Sequence, residues 1–400
     1  ACPLLPEPLV TEAEVEALEE CGDLAERLRL LLKAHPNFGT CGAAVPEDAG
    51  TWHAADLALF VRSEGYLRPL RRAWREPPVH LPELEAAARA PPPPLPADPG
   101  ELLRGDAPRV IWSYWEQGFE ALGPFRRLCL RSWAAQNPGW RLCLLDRQSA
   151  LRFVDRGQLP ELWELMTPEH ASDALRLCLL ERYGGVWTDV SNLCLRPLEE
   201  WAWHRVGDPA CREGLAAFYH AWSGVVQGES REYVENWFLA ARRGHPLVAA
   251  WRELFVRAWR GSSSCFTVAL GPLFRDVDLE YLGKDKRLHL TMHVCFKKLI
   301  DEDPELRRVW QQEMLLLRSD DHAFAWMEDV STEEGCLRRW IYTKDDEWVD
   351  YFRRGKAPLL KFIGDYARGL DAQPLAHLIR RDNCMARMLS LAIPSDALEK

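Results

Sequence analysis

Residues 172–198 constrain the fold of this chain more than any other stretch. They open Ser172-Asp173-Ala174-Leu175-Arg176-Leu177-Cys178-Leu179-Leu180-Glu181-Arg182-Tyr183, turn at Gly184-Gly185, and continue Val186-Trp187-Thr188-Asp189-Val190-Ser191. The leucines and Cys178 predict a helix over 172–183 that is buried on most sides. Glycine reaches the left-handed backbone that closes a helix, so Gly184-Gly185 ends it. Val186-Trp187 then start an extended run, expected over 186–195, with Asp189 beyond them. Asp173 and Arg176 lie three apart and share a face at the helix start. Two carboxylates and a guanidinium are thereby gathered by short local geometry. Those groups can hold a polyhydroxylated, phosphate-bearing ligand.

The surrounding pattern alternates strand and helix. Arg109–Tyr114 reads as a buried strand, 124–135 as a helix, and Arg141–Leu145 as a second strand. Helical stretches follow at 147–155 and 160–166. Alternation at this spacing predicts an α/β fold with a doubly wound, mostly parallel sheet and extra helices. Ligands of such sheets bind beyond the carboxyl ends of the strands, where Ser113-Tyr114-Trp115 and Asp189 fall. Residues 231–260 and 287–316 are expected to be mainly helical, as are pieces around Pro358-Leu359-Leu360-Lys361. Before the sheet, 1–90 reads as a small helical region, with helices at 11–34, 54–63 and 82–90. Residues 91–106, beginning Pro91-Pro92-Pro93-Pro94, form a stiff linker to a domain spanning 107–400.

Ser172-Asp173-x-x-Arg176 followed by Tyr183-Gly184-Gly185-Val186-Trp187-x-Asp189 resembles the sugar-binding, Asp-x-Asp-bearing region of glycosyltransferase family 32 and the capsular-polysaccharide synthesis proteins. Pro108–Gly118, Ser132–Asp146 and the Asn236–Leu247 block resemble further parts of the capsular branch in the expected order. The likeness covers roughly 107–260, which it makes a donor-binding core, and leaves 261–400 as a helical, acceptor-side part. It implies a GT-A-like fold and transfer of a hexose from a nucleotide diphosphate sugar to a hydroxyl acceptor, with retention of configuration. The implied partners are a UDP- or GDP-hexose and a glycan, lipid or small molecule.

The resemblance also implies roles for single residues. Asp189 takes the place of the first Asp of the motif, contacting nucleotide-sugar and Mn²⁺ or Mg²⁺. The second acid is missing, because the chain reads Asp189-Val190-Ser191. A hydroxyl is a weaker ligand for hard cations than a carboxylate. Either Asp189, diphosphate and water hold the metal, with Ser191 as a minor ligand, or a side-chain cation replaces it. Lys361 is the candidate cation. Asp173 and Arg176 match the donor-hexose pair, against the plainer reading of an intrahelical ion pair. Tyr114 or Trp115 is expected to stack on base and ribose, Trp187 to wall the donor site, and Asn236 to offer an amide to the sugar unless it caps a helix. The alternative function is a catalytically silent relative that binds nucleotide-sugar or glycan.

Composition narrows the rest. A net charge of -10 argues against a broad nucleic-acid surface. No apolar run reaches the ~20 residues of a membrane span. The chain starts at Ala1 without a signal pattern, which leaves open the cytoplasm, or the Golgi lumen if an anchor has been removed. Of 12 cysteines, Cys129, Cys143, Cys178 and Cys194 sit in Leu-Cys-Leu contexts, where a thiol is a small core hydrophobe. Cys2, Cys21 and Cys41 are the candidates for other roles. His289 and His293, with Asp320, Asp321 and His322, have tempting metal spacing but no clear third ligand. Most of the 18 tryptophans, among them Trp140, Trp163, Trp251 and Trp259, are expected in the scaffold.

Overall fold

Five short, fully buried or half-buried runs of β-branched, aromatic and leucine residues pair with one longer strand to build the centre of the protein. The computed structural model describes residues 81–104, 108–220, 231–262, 268–277, 290–327, 330, 332–380 and 383–394. The helices expected at 11–34 and 54–63, and Cys2, Cys21, Cys41 and His289, lie outside them. The strands are β1 (Val110–Tyr114), β2 (Arg141–Leu145), β3 (Gly185–Thr188), β5 (Leu215–Tyr219), β6 (Val234–Ala241) and β7 (Met314–Arg318), in the order β2-β1-β3-β6-β5-β7. β1 is parallel to β2 and β3, and β5 to β7, while β6 runs antiparallel to both its neighbours. Five strands therefore point one way and β6 alone opposes them. The mixed, mostly parallel α/β sheet expected from the alternation is the one observed.

Strand alternation divides the core. Trp112, Leu145, Trp187 and Leu239 join Leu175, Leu179, Trp251 and Phe255 in one cluster. Ile111, Val186 and Ala240 join Trp133, Trp201, Phe218 and Phe238 in another. The first is covered by α3 (Pro168–Tyr183), α4 (Pro246–Ala258) and α5 (Thr291–Glu302), and the second by α2 (Pro124–Gln136). The helix before the proline run, α1 (Pro82–Arg89), buries Leu84, Ala87 and Ala88 in a third cluster with Phe125 and Leu128 of α2. Trp163, Trp251 and Trp259 are buried as expected of scaffold, and Cys129, Cys143, Cys178 and Cys194 are buried free thiols.

Two expectations fail, and both failures shape the site. The run 186–195 is not one strand. Asn192 N–H donates to Asp189 O (3.1 Å), closing a turn after β3, and Asn192–Cys194 (β4) pairs antiparallel with β8 (Leu359–Lys361) in a separate two-stranded sheet. The block around Asn236, expected to be helical, is strand β6. Its bulky Val234, Trp237, Phe238 and Leu239 find partners on both faces of the sheet, and packing overrides the weak helical period. The helical pieces expected around Pro358–Lys361 flank that run, at Asp346–Tyr351 and Gly364–Asp371, while Leu359 and Leu360 themselves are fully buried in β8.

Candidate active site

The helix α3 starts at Pro168, four residues before the expected start, and eleven of its 16 residues are buried. Charges inside such a helix must find partners. Asp173 Oδ1 accepts from Arg176 Nη1 (2.9 Å) and from Asn236 Nδ2 (2.9 Å) on β6. Arg176 Nη2 also donates to Ser172 Oγ, and Arg176 lies over the Trp187 ring at 4.9 Å. Gly184 and Gly185 close the helix with φ of 72° and 91°. A Cβ on Gly185 would stand 2.5 Å from Val110 O, so the close approach of β3 to β1 needs glycine there.

The turn after β3 places Asp189 between two cations. Its N–H donates to Trp237 O (3.0 Å), and Asn192 Nδ2 holds the same carbonyl (3.0 Å) and Thr188 Oγ1 (2.9 Å). Asp189 Oδ1 accepts from Trp187 Nε1 (3.2 Å) and Arg176 Nη2 (3.4 Å), and Oδ2 accepts from Lys361 Nζ (2.8 Å). The same ammonium donates to Ser191 Oγ (3.2 Å) and stands 5.9 Å over the Trp237 ring. Lys361 arrives through β8, whose pairing sets Lys361 opposite Asn192. Its side chain is 8% exposed and Asp189's is 28% exposed, so the acid remains reachable while its lysine does not face open water.

Burial disfavours charge on both acids, with opposite outcomes. At Asp189 the nearby Lys361 and Arg176 outweigh it and hold the carboxyl below its ordinary range. At Asp173 burial wins over Arg176, aided by the charge of Asp189, and pushes the group up to about 7.

Asp173, Arg176, Trp187, Asp189, Ser191, Asn236 and Lys361 thus form one connected network. Tyr114 and Trp115 stand apart from it. Tyr114 is buried in the core, and burial pushes its hydroxyl up to about 12. Trp115 is half-buried with Arg126 5.0 Å above its ring. Asn236 is no helix cap, since it lies within β6 and reaches across to α3. His293 is buried in α5 away from any metal set. Among the described residues no three or more His, Cys, Asp or Glu side chains gather as a metal site.

Three residues of the same sheet edge escaped a role in the sequence reading. Because β6 opposes the other strands, its first residues lie beside the carboxyl ends of its neighbours β3 and β5, and β7 ends next to β5. Glu235 is buried there, His220 Nδ1 lies 4.0 Å from Glu235 Oε1, and Asp320 Oδ1 lies 3.5 Å from the same nitrogen. Burial, with Asp320 and Asp189 nearby, pushes Glu235 up to about 8 against the pull of Lys361. Glu235 was legible only as the neighbour of Asn236, and Asp320 only as half of a metal pair.

The network lies at the carboxyl ends of the strands of an α/β sheet, where it forms a candidate active site, and the known sequences that this chain resembles are glycosyltransferases. Residues 101–271 match the sequence model of the family described as capsular polysaccharide synthesis protein, so the resemblance read from Ser172–Asp189 is borne out over that segment. Glycosyltransferase afumC of Aspergillus fumigatus is 32% identical over 177 residues, 41% of this chain and 44% of its own. O-glycosyltransferase braB of Annulohypoxylon truncatum is 28% identical over 181 residues, 42% of each chain. O-glycosyltransferase PaGT of Phomopsis amygdali is 26% identical over 180 residues, 42% of this chain and 43% of its own. The matched region is thus less than half the length of each of these relatives. A solved structure, the PaToxG glycosyltransferase, aligns with 62% of this chain and 83% of its own at 15% identity. Its TM-score is 0.30. Among the described residues no helix is long and apolar enough to cross a membrane.

Proposed function

We propose that this chain is a glycosyltransferase that moves a hexose from a nucleotide diphosphate sugar to a hydroxyl acceptor, with retention of configuration. The observation that carries the reading is Asp189, a reachable carboxylate clamped between Arg176 and Lys361 at the carboxyl end of β3. In this reading Asp173, Arg176 and Asn236 hold the hydroxyls of the hexose. A carboxylate accepts from hydroxyls, and a guanidinium and an amide donate to them. Retention follows if the acceptor attacks the face from which the diphosphate leaves. The departing phosphate oxygen then takes the acceptor's proton, and no side-chain nucleophile is needed. The similarity to fungal glycosyltransferases supports the reaction class.

The donor set suits an ammonium better than a divalent ion. Mn²⁺ or Mg²⁺ needs several charged or hard oxygen ligands. Asp189 is the acid named for it, and both its oxygens already accept from cations or an indole, while Ser191 Oγ faces the same ammonium. A third positive charge there meets two others. We therefore assign stabilisation of the leaving diphosphate to Lys361. The test is a panel of UDP- and GDP-hexoses scored for release of nucleoside diphosphate, with Mn²⁺ and with chelator. Turnover that survives chelation is expected. Binding of a donor without release in either condition would identify a silent relative. No binding of any donor overturns the reading.

A further inference from the structure

The first turn of α5 meets the donor floor and leaves it with unanswered polar atoms. Met292 Sδ lies 3.9 Å from Arg176 Nη1, and Arg176 acts electrostatically on the next residue, His293. His293 is buried with its ring 4.9 Å from that of Tyr233, and among the described residues neither of its ring nitrogens has a hydrogen-bonding partner. Thr291 Oγ1, also buried, has none among the described residues, and nor does Arg176 Nε. Among the described residues no side chain caps the helix. A buried polar group left unpaired forfeits its hydration for nothing, and proteins keep few of them. Two residues of one helical turn that do so, with an arginine whose own Nε is unpaired, call for a ligand.

We propose that His293 and Thr291 read a hydroxyl of the transferred sugar, so that the start of α5 sets which hexose the enzyme accepts. This rests on the nucleotide-sugar reading above. A sugar hydroxyl both donates and accepts, which matches a neutral imidazole and a threonine hydroxyl together. Burial, helped by the charge of Arg176, pushes the ring down to about 3, so it is neutral at any working pH. A site built to hydrogen-bond a hydroxyl strongly rejects the analogue that lacks it, because its own polar atoms are then stranded.

The test compares wild type, His293→Phe, His293→Gln and Thr291→Val, as full chains, on a panel of epimeric and deoxy nucleotide-sugars and on the bare nucleoside diphosphate. H293F is expected to lose at least about tenfold in kcat/KM for the preferred sugar. Its affinity for the bare diphosphate should stay within about twofold, and H293Q should recover part of the loss. One deoxy sugar should be used as poorly by wild type as the full sugar is by H293F, and be indifferent to the substitution. H293F should keep or raise Tm, since an unpaired polar ring is removed; a histidine with a purely structural role would lower it. T291V should compress the same epimer ranking. If wild type turns over nucleotide-sugars while H293F and T291V leave the ranking and kcat/KM within about twofold, this inference fails alone. If wild type uses no nucleotide-sugar, the function proposed above fails and takes this one with it.

Discussion

Replacing Lys361 with Met separates the two jobs given to its ammonium, neutralising Asp189 and receiving the leaving diphosphate. The lysine is 8% exposed and its partner 28%, so the pair is only partly desolvated. Breaking a fully buried pair costs about 3–5 kcal/mol, and water at Asp189 reduces this to about 2 kcal/mol here. Arg176 at 3.4 Å and Trp187 Nε1 at 3.2 Å still hold the orphaned acid. Its carboxyl should rise from its depressed value once the nearer cation is gone. Adding Asp189→Asn removes the stranded charge, so K361M/D189N should regain about 1 kcal/mol of the stability lost by K361M in urea titrations. Turnover should behave differently. Loss of one preorganised charge at a leaving group lowers kcat by about 10²–10³, and D189N should not restore it. The assay is release of nucleoside diphosphate at saturating donor, with Mn²⁺ and with chelator. Recovery of kcat along with stability in the double variant would show that Lys361 acts only on Asp189. A kcat for K361M within about threefold of wild type, or one rescued by Mn²⁺ alone, would refute the assignment of the leaving group to lysine.

Other outcomes follow from the same geometry. Glu235, pushed up to about 8, favours its neutral form in the fold, so the stability it contributes is present at acid pH and lost as pH rises towards 8. Glu235→Gln should therefore flatten the decline of urea-midpoint stability between about pH 5 and 8, by on the order of 2–3 kcal/mol, leaving the smaller decline due to Asp173; an unchanged slope refutes this. Arg126 and Asp371 form an ion pair with both side chains about one-tenth exposed, tying α2 to α6 (Gly364–Asp371). Arg126→Met should cost about 3 kcal/mol by stranding Asp371, and Asp371→Asn should return part of it, both read from chemical denaturation. Gly185→Ala forces a Cβ against Val110 O at a φ of 91° and should cost at least about 2 kcal/mol; a Tm unchanged within error would contradict the close β1–β3 approach.

The segment 172–189 was legible because its information is local. Helix period, a double glycine and three-residue spacing depend on neighbours in the chain, so Asp173, Arg176 and Asp189 could be named together, and in the structure Arg176 pairs with both carboxylates. The alternation of strands and helices carried the sheet for the same reason. Lys361 was nameable as a candidate cation, but its place opposite Asn192 depends on a β4–β8 pairing across 170 residues, which no local period encodes. The antiparallel run of β6 is likewise a tertiary outcome. It turns Asn236 towards Asp173 and sets Glu235 beside His220 and Asp320, where a helical reading had scattered them. The chain by itself determined which residues carry charge and where its elements turn. Only the packed sheet decided which charges meet, because buried ions must be paired and the partners are supplied by strands distant in sequence.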